Sequence, residues 1–267
     1  MRRFPIFASV VAFVSISLAL ASTVQASAEE QALSGDKIPT SAGELVIDPI
    51  RHATLVMQWN GKTIYIDPVG GAKSFTGLPK PDLILVTHMH GDHFDVPTLQ
   101  AIVPHGAKTP LVVPKSVAEK CPAELQEKAT VKILANDEKT DVAGIGIEAI
   151  PSYNITVGKE KFHPKGRDNG YVLTMGGKRV YIAGDTEDTP EMRALKDIDV
   201  AFLPMNLPYT MTVAKAAEAI REFKPKIIYP YHYRSGDGTK ADLNELKNLV
   251  GGDVGVEVRA RDWYLRK

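Results

Sequence analysis

From Glu44 onward the apolar positions fall into short runs divided by turn residues, which is the spacing of strands. Ala53–Gln58 and Thr63–Ile66 flank Trp59-Asn60-Gly61-Lys62, and the Asn-Gly pair predicts a hairpin. Leu83–Val86 is apolar without a break, as expected of a strand buried on both faces. Helices are predicted over His93–Val103 and Ser116–Lys128, with strands at Leu111–Val113 and Val131–Leu134. The second half repeats the style. Strands are predicted at Ile145–Ile150, Tyr171–Met175, Arg179–Ala183, Val200–Leu203 and Lys226–Tyr229, and at Val254–Arg259 and Trp263–Leu265 near the end. Helices are expected at Val213–Phe223, stopped by Pro225, and at Asp242–Val250. Strand-rich halves with interspersed helices predict an α/β protein of two face-to-face sheets covered by helices.

The first 43 residues differ. Arg2 and Arg3 precede an apolar run from Ile6 to Ala21, and small residues near 26–28 suit a signal-peptidase site. Roughly 16 apolar residues fall short of the ~20 that a spanning helix needs, so residues 1–28 are expected to be a cleaved signal peptide. That predicts a periplasmic or secreted protein with no lasting membrane anchor. Residues 29–43 are polar and read as a mature N-terminal tail, leaving 44–267 as one domain. The formal net charge is zero and no basic stripe stands out, so a small-molecule substrate is expected rather than nucleic acid; oligomeric state is left open. Cys121 is the only cysteine, which excludes an internal disulfide and a Cys-based zinc knuckle. It reads as a small helix residue without chemistry.

Chemistry enters at His88-Met89-His90-Gly91-Asp92-His93, directly after the Leu83–Val86 strand. Three imidazoles and a carboxylate within six positions suit zinc, manganese or iron, and the carboxylate allows a second cation to share the site. Gly91 is expected to permit the turn that gathers them. At this chain's His and Asp content, a chance match has a probability of roughly 3 in 10,000.

This run resembles the signature of metallo-β-lactamase-fold hydrolases, and further segments match in order. Ile64-Tyr65-Ile66-Asp67-Pro68 is similar to the family's early strand ending in Asp, Val180–Thr186 to its Gly-Asp-Thr segment, and Tyr229–Tyr233 to its last Pro-x-His ligand motif. Tyr209-Thr210-Met211 looks like lactonase-like and uncharacterised members. The resemblance implies a four-layer αβ/βα sandwich and two divalent metal ions, Zn²⁺ foremost, with Mn²⁺ or Fe²⁺ as alternatives. It implies one ion held by His88, His90 and His163 and another by Asp92, His93 and His232, with Asp185 bridging. The third His has a rival: either His163 folds in from its loop, which is favoured, or Asn154 takes the position and one metal is weakly held. Asp67 is expected to orient a ligand imidazole, and His52, Asn154 and Tyr209 to lie around the pocket, while His105 is expected to be exposed.

The implied activity is attack by a metal-activated water on an ester, lactone or phosphodiester, with Asp92 passing a proton to the leaving group. Asp185 stands where the zinc β-lactamases carry Cys, so antibiotic hydrolysis is not implied. Lys159, Lys161, Lys165 and Arg167 form a loop that an anion could meet, which gives a phosphodiester some support. With Glu160 and Asp168 it reads foremost as a solvated loop, and ester or lactone stays level with phosphodiester. The alternative is a secreted metal-binding protein with degenerate or no catalysis.

Overall fold

The computed structural model describes Met1 and residues 33–264. The segment expected to be a signal peptide, residues 29–32 and Leu265 lie outside these described residues. The chain forms two seven-stranded sheets. The first runs β1 (Asp36–Thr40), β2 (Gly43–Arg51), β3 (Thr54–Trp59), β4 (Lys62–Ile66), β5 (Leu83–Leu85), β6 (Thr109–Val113) and β7 (Ala129–Ile133) in spatial order. The second runs, from one edge, β8 (Lys139–Val142), β9 (Ile145–Ser152), β10 (Asp168–Met175), β11 (Lys178–Ile182), β12 (Val200–Pro204), β13 (Ile227–Tyr231) and β14 (Glu257–Val258). In each sheet the first four strands pair antiparallel and the rest parallel. The Asn-Gly hairpin forms as expected, with Asn60 at φ 49° and Gly61 at φ 71°, pairing Trp59 with Lys62.

The apolar run at β5 shows how the layers are built. Leu83 and Leu85 enter the core shared with the second sheet, whereas Ile84 and Val86 pack with Leu99, Ile102, Val117 and Leu125. These last belong to α1 (Val96–Ile102), α2 (Lys115–Ala118) and α3 (Ala123–Lys128). On the far side Tyr181 meets Phe223 of α5 (Val213–Phe223), beside α4 (Pro190–Arg193) and α6 (Leu243–Val250). A continuous apolar strand is the consequence of being covered on both faces. The layers are helix, sheet, sheet, helix.

Several boundaries depart from expectation. Residues 36–40 are a strand rather than a tail: Ile38 is buried, and Asp36 accepts from Arg261 and Tyr229 of the other sheet's end. The helix expected over 116–128 breaks at Cys121-Pro122, because proline cannot donate into the helix and restricts its neighbour. The helix after the histidine run starts at Val96, not His93, since residues 90–94 are spent on a turn in which His93 and Phe94 donate to the His90 carbonyl. Near the end only Glu257–Val258 pairs, and Trp263 is a buried core residue rather than part of a strand.

Strand directions place the site. β2, β4 and β5 run the same way, as do β9, β11, β12 and β13, so their C-terminal ends share an edge of their sheet. His52, Asp67 and His88 follow the first set; Asn154, Asp185, Asn206 and His232 follow the second.

Candidate metal centre

Thr87 is the pivot of the histidine run. Its N–H and hydroxyl both donate to the Asp67 carboxylate at 2.7 Å, and its carbonyl accepts from Asn169 of β10. The turn that follows sets the His88 ring 4.7 Å from His90 and 4.0 Å from His93 between centroids. His93 Nδ1 lies 2.7 Å from Asp67 Oδ2, which fixes that ring and leaves Nε2 to face inward. Asp67 therefore orients an imidazole, as expected. Gly91 is not what the turn depends on. It is absent from the left-handed residues, and a Cβ there would meet nothing within 4 Å.

Around this turn the second sheet supplies three donors. His88, His90 and His163 form one group whose ligand atoms lie within 4.8 Å of one another, and His88, His93 and Asp185 another. His52, Asp92 and His232 form a third. Asp185 divides between them: Oδ2 is 3.6 Å from His163 Nε2, while Oδ1 is 3.4 Å from His93 Nε2 and 3.5 Å from His232 Nε2. Two ligands held ~2.0–2.1 Å from a zinc ion at tetrahedral angles stand roughly 3.3 Å apart. These separations are too long for good hydrogen bonds and close to that edge length.

The unpaired atoms agree. His88 Nε2, His93 Nε2, both nitrogens of His163 and Asp185 Oδ1 are buried without a hydrogen-bond partner. Orphaned polar atoms of this kind carry a desolvation penalty unless something occupies the space between them. Protonation states fit as well. Burial holds the His88 imidazole well below its ordinary value and brings His163 down to about 4. Burial opposes ionisation of Asp185, yet His232 and His93 outweigh it and hold that carboxyl well below the usual range. Asp92 is lowered in the same way, burial being outweighed by hydrogen bonds from His232 and His52. Neutral imidazoles beside ionised carboxylates are the forms that bind cations. His93 differs: despite burial, Asp185 and Asp67 on either side raise it well above its ordinary value, so a cation would displace its proton. The residues fit divalent metal ions.

The structure brings His163 beside His88 and His90, while Asn154 Oδ1 is also buried without a hydrogen-bond partner. Asn154 gives its two amide hydrogens to the carbonyls of Lys159 and Tyr209, at 3.0 and 2.8 Å, and its N–H to the His163 carbonyl. It ties down the loop that carries the histidine. Tyr209 acts on the same loop through its carbonyl and by its ring against Phe162, while the ring itself is 37% exposed. The basic loop is otherwise engaged. Lys159 pairs with Glu187, Lys165 with Glu191 and Arg167 with Asp168, so these cations anchor the loop instead of facing a ligand. His105 is exposed, and burial pushes the Cys121 thiol up to about 11, which makes it inert at neutral pH.

His52 lies closer to the chemistry than its sequence context shows. It sits at φ 55° in the β2–β3 turn, with Nε2 3.2 Å from Asp92 Oδ2 and its ring centroid 3.8 Å from that of His232. Tyr264 OH is 3.3 Å from His52 Nδ1. Asn206 was not singled out by sequence; its amide nitrogen is 3.3 Å from His232 Nε2 and 3.5 Å from Asp185 Oδ2. Its position just past the end of β12, next to the strand that leads to Asp185, is the one signal that marks it. A cavity of about 560 Å³ opens at the His52–Asp92 edge, walled also by Arg51, Gly70, Arg234 and Tyr264.

Known proteins are similar to this chain. A family model described as a beta-lactamase superfamily domain matches residues 47–232. A UPF0173 metal-dependent hydrolase of Pyrococcus abyssi is 33% identical over 217 residues, covering 78% of this chain and 92% of the relative. A crystal structure described as a metal-dependent hydrolase of Parabacteroides distasonis is 45% identical, with a TM-score of 0.75 over 85% of this chain and 97% of that one. Igni18, a metallo hydrolase of Ignicoccus hospitalis, shares the fold at 24% identity, with a TM-score of 0.66 over 81% of this chain and 94% of that one. Match, coverage and site together show that the chain belongs to the beta-lactamase superfamily of metal-dependent hydrolases.

Proposed function

We propose that the protein uses two divalent metal ions to hydrolyse a small carboxylic ester or lactone. The observation that carries this reading is the division of the Asp185 carboxylate, one oxygen toward His163 and the other toward His93 and His232. A carboxylate so placed serves two cations at once. His88, His90 and His163 would hold one ion, and Asp92, His93 and His232 the other. When bound, such ions supply an activated water near neutral pH and polarise the bond under attack.

The protein's own groups do the rest. Asn206 turns its amide toward His232 and, at longer range, toward Asp185. Tyr264 OH donates to His52 Nδ1, which leaves the Nε2 proton to donate to Asp92 Oδ2. Asp92 is thereby kept ionised on the cavity wall, where it would accept a hydrogen bond from the water and direct that proton toward the leaving oxygen. A cavity of about 560 Å³ suits a small molecule. Ester or lactone is preferred over phosphodiester because three of the four cations of the basic loop near His163, Lys159, Lys165 and Arg167, are paired with carboxylates. Non-catalytic metal binding has less support, since His163 completes a donor group with His88 and His90. We extend the proposal to export outside the cytoplasm, on the strength of residues 1–28.

Elemental analysis of purified protein should find about two equivalents of Zn²⁺, Mn²⁺ or Fe²⁺. Hydrolysis of p-nitrophenyl esters or a lactone panel should stop on chelation and return with metal. Turnover of bis(p-nitrophenyl) phosphate with no ester or lactone cleaved, or full activity without metal, would overturn the reading.

A further inference from the structure

Eight arginines lie among the described residues, and six of them meet a carboxylate: Arg167, Arg179, Arg193, Arg221, Arg259 and Arg261. Among the described residues, no ion pair engages the remaining two, Arg51 and Arg234. Both line the cavity beside the His52–Asp92 edge.

Each is held in place without being neutralised. Arg51 ends β2, immediately before His52, and its side chain crosses Gly70. A Cβ at Gly70 would come within 2.5 Å of an Arg51 guanidinium nitrogen and 2.9 Å of its Cδ, so the missing side chain makes the cradle. Gly70 also sits at φ 99°, which L side chains rarely adopt. Arg234 follows His232 by two residues, and its guanidinium carbon stands 4.1 Å from the centroid of the Tyr264 ring. The ring supports the cation and orients its plane while leaving its hydrogen-bond donors free. The two carboxylates of the same cavity are committed elsewhere: Asp92 to His52 and His232, Asp95 to the Thr98 hydroxyl. Two unneutralised guanidiniums lining one cavity match an oxyanion, because their planar forks pair with carboxylate or phosphate.

We propose that Arg51 and Arg234 form a subsite for an oxyanion, a carboxylate or a phosphate monoester, carried by the small molecule whose ester or lactone bond is cleaved at the adjoining metal centre. This rests on the hydrolase reading above. The anionic end seats between the two guanidiniums, and the scissile bond lies toward Asp92. The pair sets specificity and takes no part in bond cleavage.

Two esters with one leaving group test it: neutral p-nitrophenyl butyrate and anionic p-nitrophenyl hemisuccinate. In metal-loaded Arg51→Gln and Arg234→Gln, kcat/KM for the anionic ester should fall about 10- to 100-fold, chiefly through KM, while the neutral ester changes less than about threefold. Equal losses on both esters would overturn the subsite. A second readout is independent of turnover. Phenylglyoxal labelling followed by mass spectrometry should show Arg51 and Arg234 protected by succinate or by inorganic phosphate, with Arg221 unprotected. The more protective anion identifies the source of the charge. No protection by either anion would overturn the proposal. If the wild type cleaves neither ester, that counts against the ester reading, and the protection arm still decides the subsite.

Discussion

The two halves of the molecule are near copies that end in different jobs. Lys62-Thr-Ile-Tyr-Ile66 forms β4, and Lys178-Arg-Val-Tyr-Ile182 forms β11, the fourth strand of each sheet. The next strand is entered from an aspartate each time. Asp82 accepts from Lys62 Nζ and the Thr63 N–H, and Asp199 accepts from Lys178 Nζ and the Arg179 N–H, at closely matching distances. The strands then diverge at their ends. In the first half Asp67 follows Ile66 at once, and its carboxylate is consumed by Thr87 and His93. In the second half Ala183-Gly184 intervene, and Asp185 reaches the centre of the histidines. Two inserted residues turn a supporting carboxylate into a central one. His93 lies between the two, Nδ1 on Asp67 and Nε2 toward Asp185.

That contrast can be broken by substitution. Asp185→Asn should lower kcat/KM on the best ester or lactone by about 10³-fold or more and lower metal content, because it removes charge shared by both cation positions. Asp67→Asn should cost about 10- to 100-fold in metal affinity, read by competition with a chelator, since it only loosens the ring that binds. Equal effects of the two changes would erase the distinction. Gly184→Ala attacks the insertion itself. Gly184 lies at φ 67°, and a Cβ would stand 3.0 Å from Thr87 Cβ and 3.1 Å from the Asn169 carbonyl oxygen. A loss of about 1–3 kcal/mol is expected, seen as a lower melting temperature.

The smallest effect concerns protons. His163 titrates near 4 in the folded protein against 6.5 as an unperturbed group, so between those values the unfolded chain binds more protons. Its contribution to stability is complete above about pH 6.5 and is lost as pH falls toward 4. Melting of chelator-treated protein should show that decline, and His163→Gln should flatten it. His88 shifts the same way, whereas His93 is raised, so its contribution is complete below about pH 6.5 and is lost only as pH rises above that value.

What the sequence revealed tracks how locally each feature is encoded. The His88–His93 run was legible because its donors are contiguous, and Asp185 and His232 because each follows a recognisable strand. The unbroken apolar run Leu83–Val86 gave the buried strand away, yet β1 hid behind polar residues whose partners, Tyr229 and Arg261, lie nearly 200 positions on or more. Asn206, Thr87 and Tyr264 carry no motif; their importance comes from distances across sheets. The pairing of the basic loop is hidden for the same reason, since Glu187 and Glu191, which meet Lys159 and Lys165, are remote in sequence.

The drawing of donors from both sheets has a consequence for biogenesis. A nascent chain that has reached β8 already exposes His88, His90, Asp92 and His93 but lacks His163, Asp185 and His232. None of the three donor groups that could hold an ion is complete until the second sheet exists and has docked. Metal capture thus comes late, and a bound ion favours only the finished molecule, by about 2.7 kcal/mol when free metal stands at a hundred times Kd. Loading with metal would then act as a seal on completed assembly rather than as a nucleus for it.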